Sequence, residues 1–134
     1  IIMRREFLLP EEDMDFLSAY AEDWETIIES GHQWVIFYNY PVPEGYNESS
    51  IVLALRIDRG YPTSQIDMVY FSPPLKRLDN QPIGALSNQP LEGKIFQRWS
   101  RHRTPLNPWR PGLDNLETHL LLVDYWMKRE FKIR

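Results

Sequence analysis

The stretch Ser50–Phe71, SIVLALRIDRGYPTSQIDMVYF, decides the fold. Its first part, Ser50–Ile57, is almost entirely apolar, and an apolar run of this length predicts a strand at the centre of a sheet. Asp58–Ser64 contains a Gly-Tyr-Pro run, which is typical of a turn. Gln65–Phe71 is again rich in β-branched and aromatic residues and predicts a second strand. The stretch therefore predicts two neighbouring strands joined by a short connection.

Two further strand-like runs precede this stretch. Trp24–Ile28 is short, and Gln33–Tyr40 (QWVIFYNY) is rich in β-branched and aromatic residues. The segment PVPEGYNES, residues 41–49, then leads to Ser50 and has the proline and glycine content of a turn. Four strands with short connections and no helical pattern between them predict a four-stranded antiparallel meander.

Helical patterns flank the predicted strands on both sides. Leu8–Ala21 predicts a first helix, with Pro10 in its first turn and three acids directly behind it, where the helix dipole favours negative charge. Near the other end, Asp114 is suited to be the N-cap of a helix of roughly 18 residues, with Glu117 at capping-box spacing. Apolar residues recur along that helix at steps of three and four, namely Leu113, Leu116, Leu120, Val123, Met127 and Phe131. A sheet covered by helices on one face, an α+β fold, is therefore expected.

The regular pattern breaks between the last predicted strand and the second helix. Ser72–Leu91 is rich in Pro, Asn and Gln and is too long for a simple connection, so it predicts an irregular segment that is functional or mobile. The 134 residues have the length of a single domain, and we expect one domain over residues 1–134.

The composition excludes several kinds of chemistry within this sequence. It contains no Cys, so disulfides, thiolate metal sites and thiol nucleophiles are ruled out together. The three His lack the spacing and the neighbouring acids of familiar zinc motifs, and we expect no metal and no cofactor. One of them, His119, is expected to be partly exposed on the second helix.

Charge and hydropathy bound the location and the partners. A formal net charge of −4 argues against nucleic acid as a partner. No apolar run is long enough to span a bilayer, so we expect no membrane association. The first seven residues, IIMRREF, are too few and too charged for a signal peptide, and a cytoplasmic location is expected.

The segment Gly93–Pro111, GKIFQRWSRHRTPLNPWRP, contains the candidate site. It carries four Arg and two Trp but no acid, and such a loop is a poor core builder. Exposed loops on rigid scaffolds are where binding and catalysis concentrate. Arg and Trp dominate interface energetics, and Arg grips carboxylates with two hydrogen bonds. The predicted partner-binding residues are Arg98, Trp99, Arg101, Arg103, Trp109 and Arg110.

Ser100 and His102 of the same segment form a candidate catalytic pair. A Ser hydroxyl becomes a nucleophile beside a general base, and His suits that role at neutral pH. Residues two apart point to the same side only in an extended segment. Asp79 or Asp114 could orient His102 in space. The alternative is structural, with Ser100 capping or turning the loop and His102 hydrogen-bonded to backbone.

Several local patterns resemble the ubiquitin-conjugating enzyme family. In that family a strand of the type F-x-L-x-I is followed by a Tyr-Pro pair and a strand ending in Phe. Here IVLALRI is followed by Tyr61-Pro62, and IDMVYF ends at Phe71. The family's later G-x-I-Cys-L and W-S-P patterns resemble Gly93–Phe96 and Trp109–Pro111. The resemblance covers about Pro10 to Phe131 and implies the fold of that family.

This chain also departs from the family's pattern. The catalytic Cys has no counterpart, and the G-x-I pattern places Phe96 at its position. The family's His-Pro-Asn is absent, the nearest segment is Ser72-Pro73-Pro74, and an insertion carries WSRHR. The chain is therefore similar to divergent bacterial members of the superfamily, of the kind associated with ubiquitin-like and multiubiquitin operons. These are found beside ubiquitin-like proteins, activating enzymes and isopeptidases, and some lack the thiol.

The resemblance implies a cysteine-less conjugating-enzyme homologue in a bacterial ubiquitin-like pathway. The implied partners are a ubiquitin-like protein and a ubiquitin-activating-enzyme-like protein. The alternative is a non-thiol transferase in which Ser100, with His102 as base, forms an oxyester or passes on a ubiquitin-like C-terminus. Arg101 or Arg103 would then stabilise the oxyanion. A third interpretation, single-stranded nucleic acid on the Arg and Trp side chains, is disfavoured by the acidic net charge.

Overall fold

The computed structural model describes residues 2–20 and 23–133. Within these residues it contains two helices and six strands, which confirms the predicted α+β class. In chain order the elements are α1 (Glu11–Tyr20), β1 (Trp24–Glu29), β2 (His32–Pro41), β3 (Ser50–Ile57), β4 (Val69–Ser72), β5 (Leu86–Leu91), β6 (Lys94–Trp99) and α2 (Leu116–Ile133). Ala21, the predicted last residue of the first helix, lies outside the described residues. Neither described helix has the length and apolar character needed to cross a membrane.

The six strands form one antiparallel sheet in the order β1-β2-β3-β4-β6-β5. The first four strands follow the chain as a meander, but the prediction of a sheet with only four strands is wrong. A hairpin, β5–β6, extends the sheet beyond β4, so the predicted irregular segment Ser72–Leu91 ends in a strand. The sequence does not indicate this hairpin, because β5, LSNQPL, is a polar edge strand. An edge strand has one neighbour and does not need apolar residues.

Both helices pack on one face of the sheet. Leu17 of α1 and the apolar stripe of α2 contact alternate residues of the central strands, such as Leu53 and Leu55 of β3. Each fully buried Leu in such a layer contributes about 1.5–3 kcal/mol relative to an exposed one. This core fixes α2 against the sheet and thereby positions residues 100–115, the segment that leads into α2.

The opposite face carries a second core cluster that neither described helix covers. Its buried residues come from β1–β4 and from the hairpin, namely Ile27, Trp34, Ile36, Ala54, Tyr70, Leu91 and Phe96. The sheet curls so that the hairpin tip meets the end of β1, where the Glu92 N–H donates to the Glu29 carboxylate at 3.1 Å. Arg4 also links β1 to the hairpin tip, through ion pairs with Glu25 near the start of the strand and with Glu92. The hairpin thus packs over this face of the sheet and helps to bury the aromatic residues of the face.

The beginning of α2 differs from the predicted capping box. Asn115 is the cap, since its Oδ1 accepts the Thr118 N–H at 3.1 Å and Thr118 Oγ1 accepts the Asn115 N–H at 2.9 Å. The prediction of Asp114 as the cap is wrong because its buried carboxylate serves Arg110 and Arg103 instead. The Asn-x-x-Thr spacing was present in the sequence one residue further along.

Candidate functional site

Phe96, the residue predicted to match the family's cysteine, lies inside the molecule. It is in the middle of β6, it is only 2% exposed, and it belongs to the second core cluster. Its neighbours in that cluster, such as Ile27 and Trp34, are apolar or aromatic. This position therefore offers no reactive group and no access for a partner.

The other end of β6 carries two predicted partner-binding residues, Arg98 and Trp99. Trp99 is fully buried, packs edge-on against Phe71 with ring centroids 5.3 Å apart, and donates its Nε1–H to Gln97 at 2.9 Å. It is a core residue because period-2 alternation in β6 turns it toward the helices. Arg98 is half-buried and donates its Nε–H to Ser87 Oγ at 2.7 Å across the hairpin.

Arg101 ties the segment to α2. Its guanidinium forms an ion pair with Glu130 at 2.6 Å, donates to the Gly84 carbonyl at 3.0 Å and lies over the Trp99 ring at 4.9 Å. Glu130 is buried on the inner side of α2, where an ionised acid requires a cationic partner. The sequence did contain this clue, because Glu130 follows Met127 at a three-residue step of the apolar stripe.

Arg103 and Arg110 both contact the buried Asp114. Arg103 Nη2 lies 3.6 Å from Asp114 and its guanidinium lies over the Trp109 ring at 5.1 Å. Arg110 donates its backbone N–H to Asp114 at 2.8 Å, while its side chain stays 60% exposed. Although burial opposes ionisation, the Arg110 hydrogen bond and the Arg103 charge hold the pKa of the Asp114 carboxyl below its usual range. The segment has no acid in its own sequence, and Asp114, just before α2, supplies the carboxylate for these two Arg.

Trp109 anchors the segment to the turn between β3 and β4. Its Nε1–H donates to the Pro62 carbonyl at 2.9 Å, and its ring lies 6.1 Å from the Tyr61 ring. The Tyr-Pro and Trp-Arg-Pro patterns, far apart in sequence, therefore contact each other. Trp109 keeps part of its surface exposed, unlike Trp99.

His102 is exposed and paired with an acid that the sequence did not single out. Its Nδ1 lies 2.9 Å from Asp67 Oδ1, and its side chain is 58% exposed. The two predicted orienting acids are occupied elsewhere, Asp79 by Arg77 and Asp114 by Arg110. Asp67 lies just before β4, so only the folding of that strand beside β6 brings it to His102.

Ser100 lies directly after β6. It is half-buried, and its backbone N–H donates to the Ala85 carbonyl at 3.0 Å, which extends the pairing of the hairpin by one bond. His102 has a carboxylate at its Nδ1, as a triad histidine does, whereas the hydrogen bond that Ser100 makes here is one of its backbone. The catalytic role of this pair stays a prediction.

His119, expected to be partly exposed, is fully buried beneath this region. Its Nε2 lies 2.9 Å from the Met68 carbonyl and its ring packs edge-on against Trp126. Since a carbonyl only accepts, Nε2 must carry the proton. Burial lowers the pKa of His119 to about 4, so the imidazole is neutral at pH 7. The expectation of exposure is wrong because α2 buries a wider stripe than its leucines alone indicate.

A groove runs between the segment and the outer side of α2. It has a volume of about 590 Å³ and is lined by His102, Arg103, Thr104, Leu106, Asn107, Leu122, Tyr125, Trp126 and Arg129. The described residues contain no group of three or more His, Asp or Glu side chains placed to hold a metal ion. The concave surface beside His102 is therefore the candidate functional site.

An antiparallel sheet covered by two helices, with an irregular segment between the last strand and the long helix, is consistent with a conjugating-enzyme-like (E2-like) fold. The chain belongs to the prokaryotic E2 family E, whose family model matches residues 9–130. No curated protein and no solved structure matches the chain.

Proposed function

We propose that this chain is a cysteine-less E2-like component of a bacterial ubiquitin-like pathway that holds a ubiquitin-like protein, its activating enzyme, or both. The observation that carries the proposal is membership of the prokaryotic E2 family in a sequence without a single Cys. A thioester cannot form without a thiol, and a Ser hydroxyl is a weak nucleophile unless a base activates it. Partner binding is the E2-like role that requires no thiol.

The contacts within the chain favour a smaller and partly different set of contact residues from the six predicted from sequence. Trp99 lies in the core, while Arg101 and Arg103 are held by acids of the same chain. Arg110 and His102, which both belong to the segment, have side chains that are more than half exposed. We propose that these two, with the exposed part of Trp109, contact the partner.

The test is a calorimetric titration with the ubiquitin-like protein encoded in the same genome, and separately with its activating enzyme. We expect Arg110→Ala to weaken binding about tenfold, since an interface Arg commonly contributes more than 1 kcal/mol. Asp114 keeps the backbone hydrogen bond in that variant, so the fold is retained. Arg59→Ala, an exposed Arg after β3, is the matched control. No heat from either partner with the wild-type chain would refute the proposal.

A second candidate function, non-thiol transfer, is favoured by one contact, between His102 Nδ1 and Asp67. In that reaction Ser100 Oγ attacks the activated C-terminal carbonyl of the ubiquitin-like protein. A carbon–oxygen ester bond forms, and the bond between that carbonyl and the activating enzyme's leaving group breaks. The Ser100 proton passes to His102 Nε2, which then gives it to the departing group.

An adduct that needs ATP and the activating enzyme, survives thiols and is cleaved by alkali would support transfer. Ser100→Ala and His102→Gln should then each abolish the adduct. Thr104→Ala removes an exposed hydroxyl from the same segment and should leave it unchanged. An adduct of equal yield in Ser100→Ala would exclude this chemistry.

A further inference from the structure

The groove beside α2 exposes more apolar surface than the fold requires. Leu106 is 99% exposed on one wall, and Tyr125 is 56% exposed on the other. Leu122, which is partly buried against the core, and the buried Trp126 also line the groove. Large apolar side chains gathered around one concave surface mark an interaction site more often than single scattered ones do.

The charged groups of the groove are of one sign. None of the described residues that line it is Asp or Glu, whereas two of them, Arg103 and Arg129, carry a positive charge. Arg103 is satisfied in part by Asp114, and His102 by Asp67, so Arg129 supplies the exposed charge. Lys128 and Lys132, also exposed, continue the basic surface toward the end of α2. A ligand with apolar groups and negative charge complements this arrangement.

One polar atom of the wall also lacks a partner. Arg103 Nε is buried and has no hydrogen-bond acceptor among the described residues, although the rest of its guanidinium is paired. Its side chain is 94% buried in the wall of the groove, so it is a fixed charge rather than a mobile surface charge. Because Nε lies below the accessible surface, this part of the wall offers a ligand its positive charge and not the Nε–H.

We propose that the groove binds a short acidic and leucine-rich peptide segment of a protein partner, with its apolar side chains between Leu106 and Tyr125 and its carboxylates at Arg129. The inference names the chemistry of the binding surface and rests on the proposed function. A peptide is favoured over nucleic acid because large apolar side chains line most of the groove and the few exposed cations beside it cannot neutralise a run of phosphates. The volume lies within the range of ordinary ligand sites, which is about 300–1,000 Å³.

The test is an NMR titration of the backbone amides with an N-acetylated peptide, Leu-Glu-Leu-Asp-Asp. Shifts should concentrate in residues 102–107 and 122–129, and the lysine counterpart Leu-Lys-Leu-Lys-Lys should bind at least about tenfold more weakly. Arg129→Ala and Tyr125→Ala should each lower the affinity about tenfold. Arg59→Ala and Leu78→Ala, which change an exposed Arg and an exposed Leu elsewhere, should stay within about twofold.

Several outcomes would overturn the inference. These are equal binding of both peptides, unchanged affinity in Arg129→Ala and Tyr125→Ala, and displacement of the peptide by a single-stranded oligonucleotide. If the ubiquitin-like protein binds but the acidic peptide does not, the groove assignment fails and the proposed function stands. If the peptide binds in the groove but neither the ubiquitin-like protein nor the activating enzyme does, the proposed function fails.

Discussion

At the scale of single residues, the burial of Phe96 determines whether the position predicted for the family's cysteine is accessible. We expect the thiol of Phe96→Cys to react with a soluble disulfide reagent at least about 100-fold more slowly than that of Thr104→Cys, because reaction requires local opening. The chain has no other Cys, so each variant reports one site. Truncating a buried Phe costs about 3 kcal/mol, so thermal melting must first show that the variant is folded. Equal rates in two folded variants would place residue 96 at the surface.

His119 makes a second prediction at this scale, on pH. The folded chain holds the imidazole neutral, with a pKa of about 4, while the unfolded chain binds a proton near pH 6.5. The unfolded state therefore binds more protons between these values, and stability is lost as the pH falls. We expect His119 to account for a loss of about 3 kcal/mol in unfolding free energy between pH 7 and pH 4.

Urea unfolding of the wild type and of His119→Gln at several pH values measures this contribution. Gln can still donate to the Met68 carbonyl but does not titrate, so the variant should show a flatter pH dependence over this range. Parallel curves for the two proteins would show that His119 is not held neutral by the fold.

At the scale of elements, the start of α2 depends on a residue of α1. Asp13 is buried, accepts the Leu116 N–H at 3.2 Å and accepts the Tyr61 hydroxyl proton at 2.6 Å. Burial raises the pKa of Asp13 despite these two bonds. Asp13→Ala leaves both donors unpaired and should cost about 2–4 kcal/mol in unfolding free energy. Chemical denaturation checks this value.

Asp15→Ala, an exposed acid on the same helix, provides the control for that measurement. It should change the unfolding free energy by less than about 0.5 kcal/mol. Asp13→Asn should fall between the two, since its amide oxygen can still accept the Leu116 N–H. A cost for Asp13→Ala no larger than that for Asp15→Ala would mean that the two helices are not coupled through this carboxylate.

Elements with a strong local pattern could be predicted from sequence, and the hairpin could not. The apolar run Ser50–Ile57 is β3 with the predicted ends, and the Leu stripe marks α2. β5 has no strand pattern in its sequence because it is a polar edge strand. It pairs with one neighbour and contributes little to the core. The sequence does not predict β6 because Arg98 and the Arg residues that follow the strand are typical of a loop, although Phe96 and Trp99 turn to opposite faces of the sheet.

At the scale of the whole molecule, the segment that lines the groove stands out in the sequence, but its contacts do not. Arg101 and Arg103 find their acids on α2 and just before it, at Glu130 and Asp114. His102 finds its acid at Asp67, more than thirty residues earlier. Such pairs depend on tertiary folding. The sequence of a basic segment therefore suggests more unpaired positive charge on the surface than the folded chain has. The groove likewise forms only where residues 102–107 pack beside α2, so neither stretch of sequence predicts it alone.

The central claim is that this E2-like fold holds its partner without a covalent bond. The direct test is native mass spectrometry. The chain is mixed with ATP and with the ubiquitin-like protein and the activating enzyme that are encoded in the same genome. We expect a complex under native conditions and, after denaturation, a chain whose mass is unchanged. The absence of any complex, or a mass increase that survives denaturation, would contradict the claim.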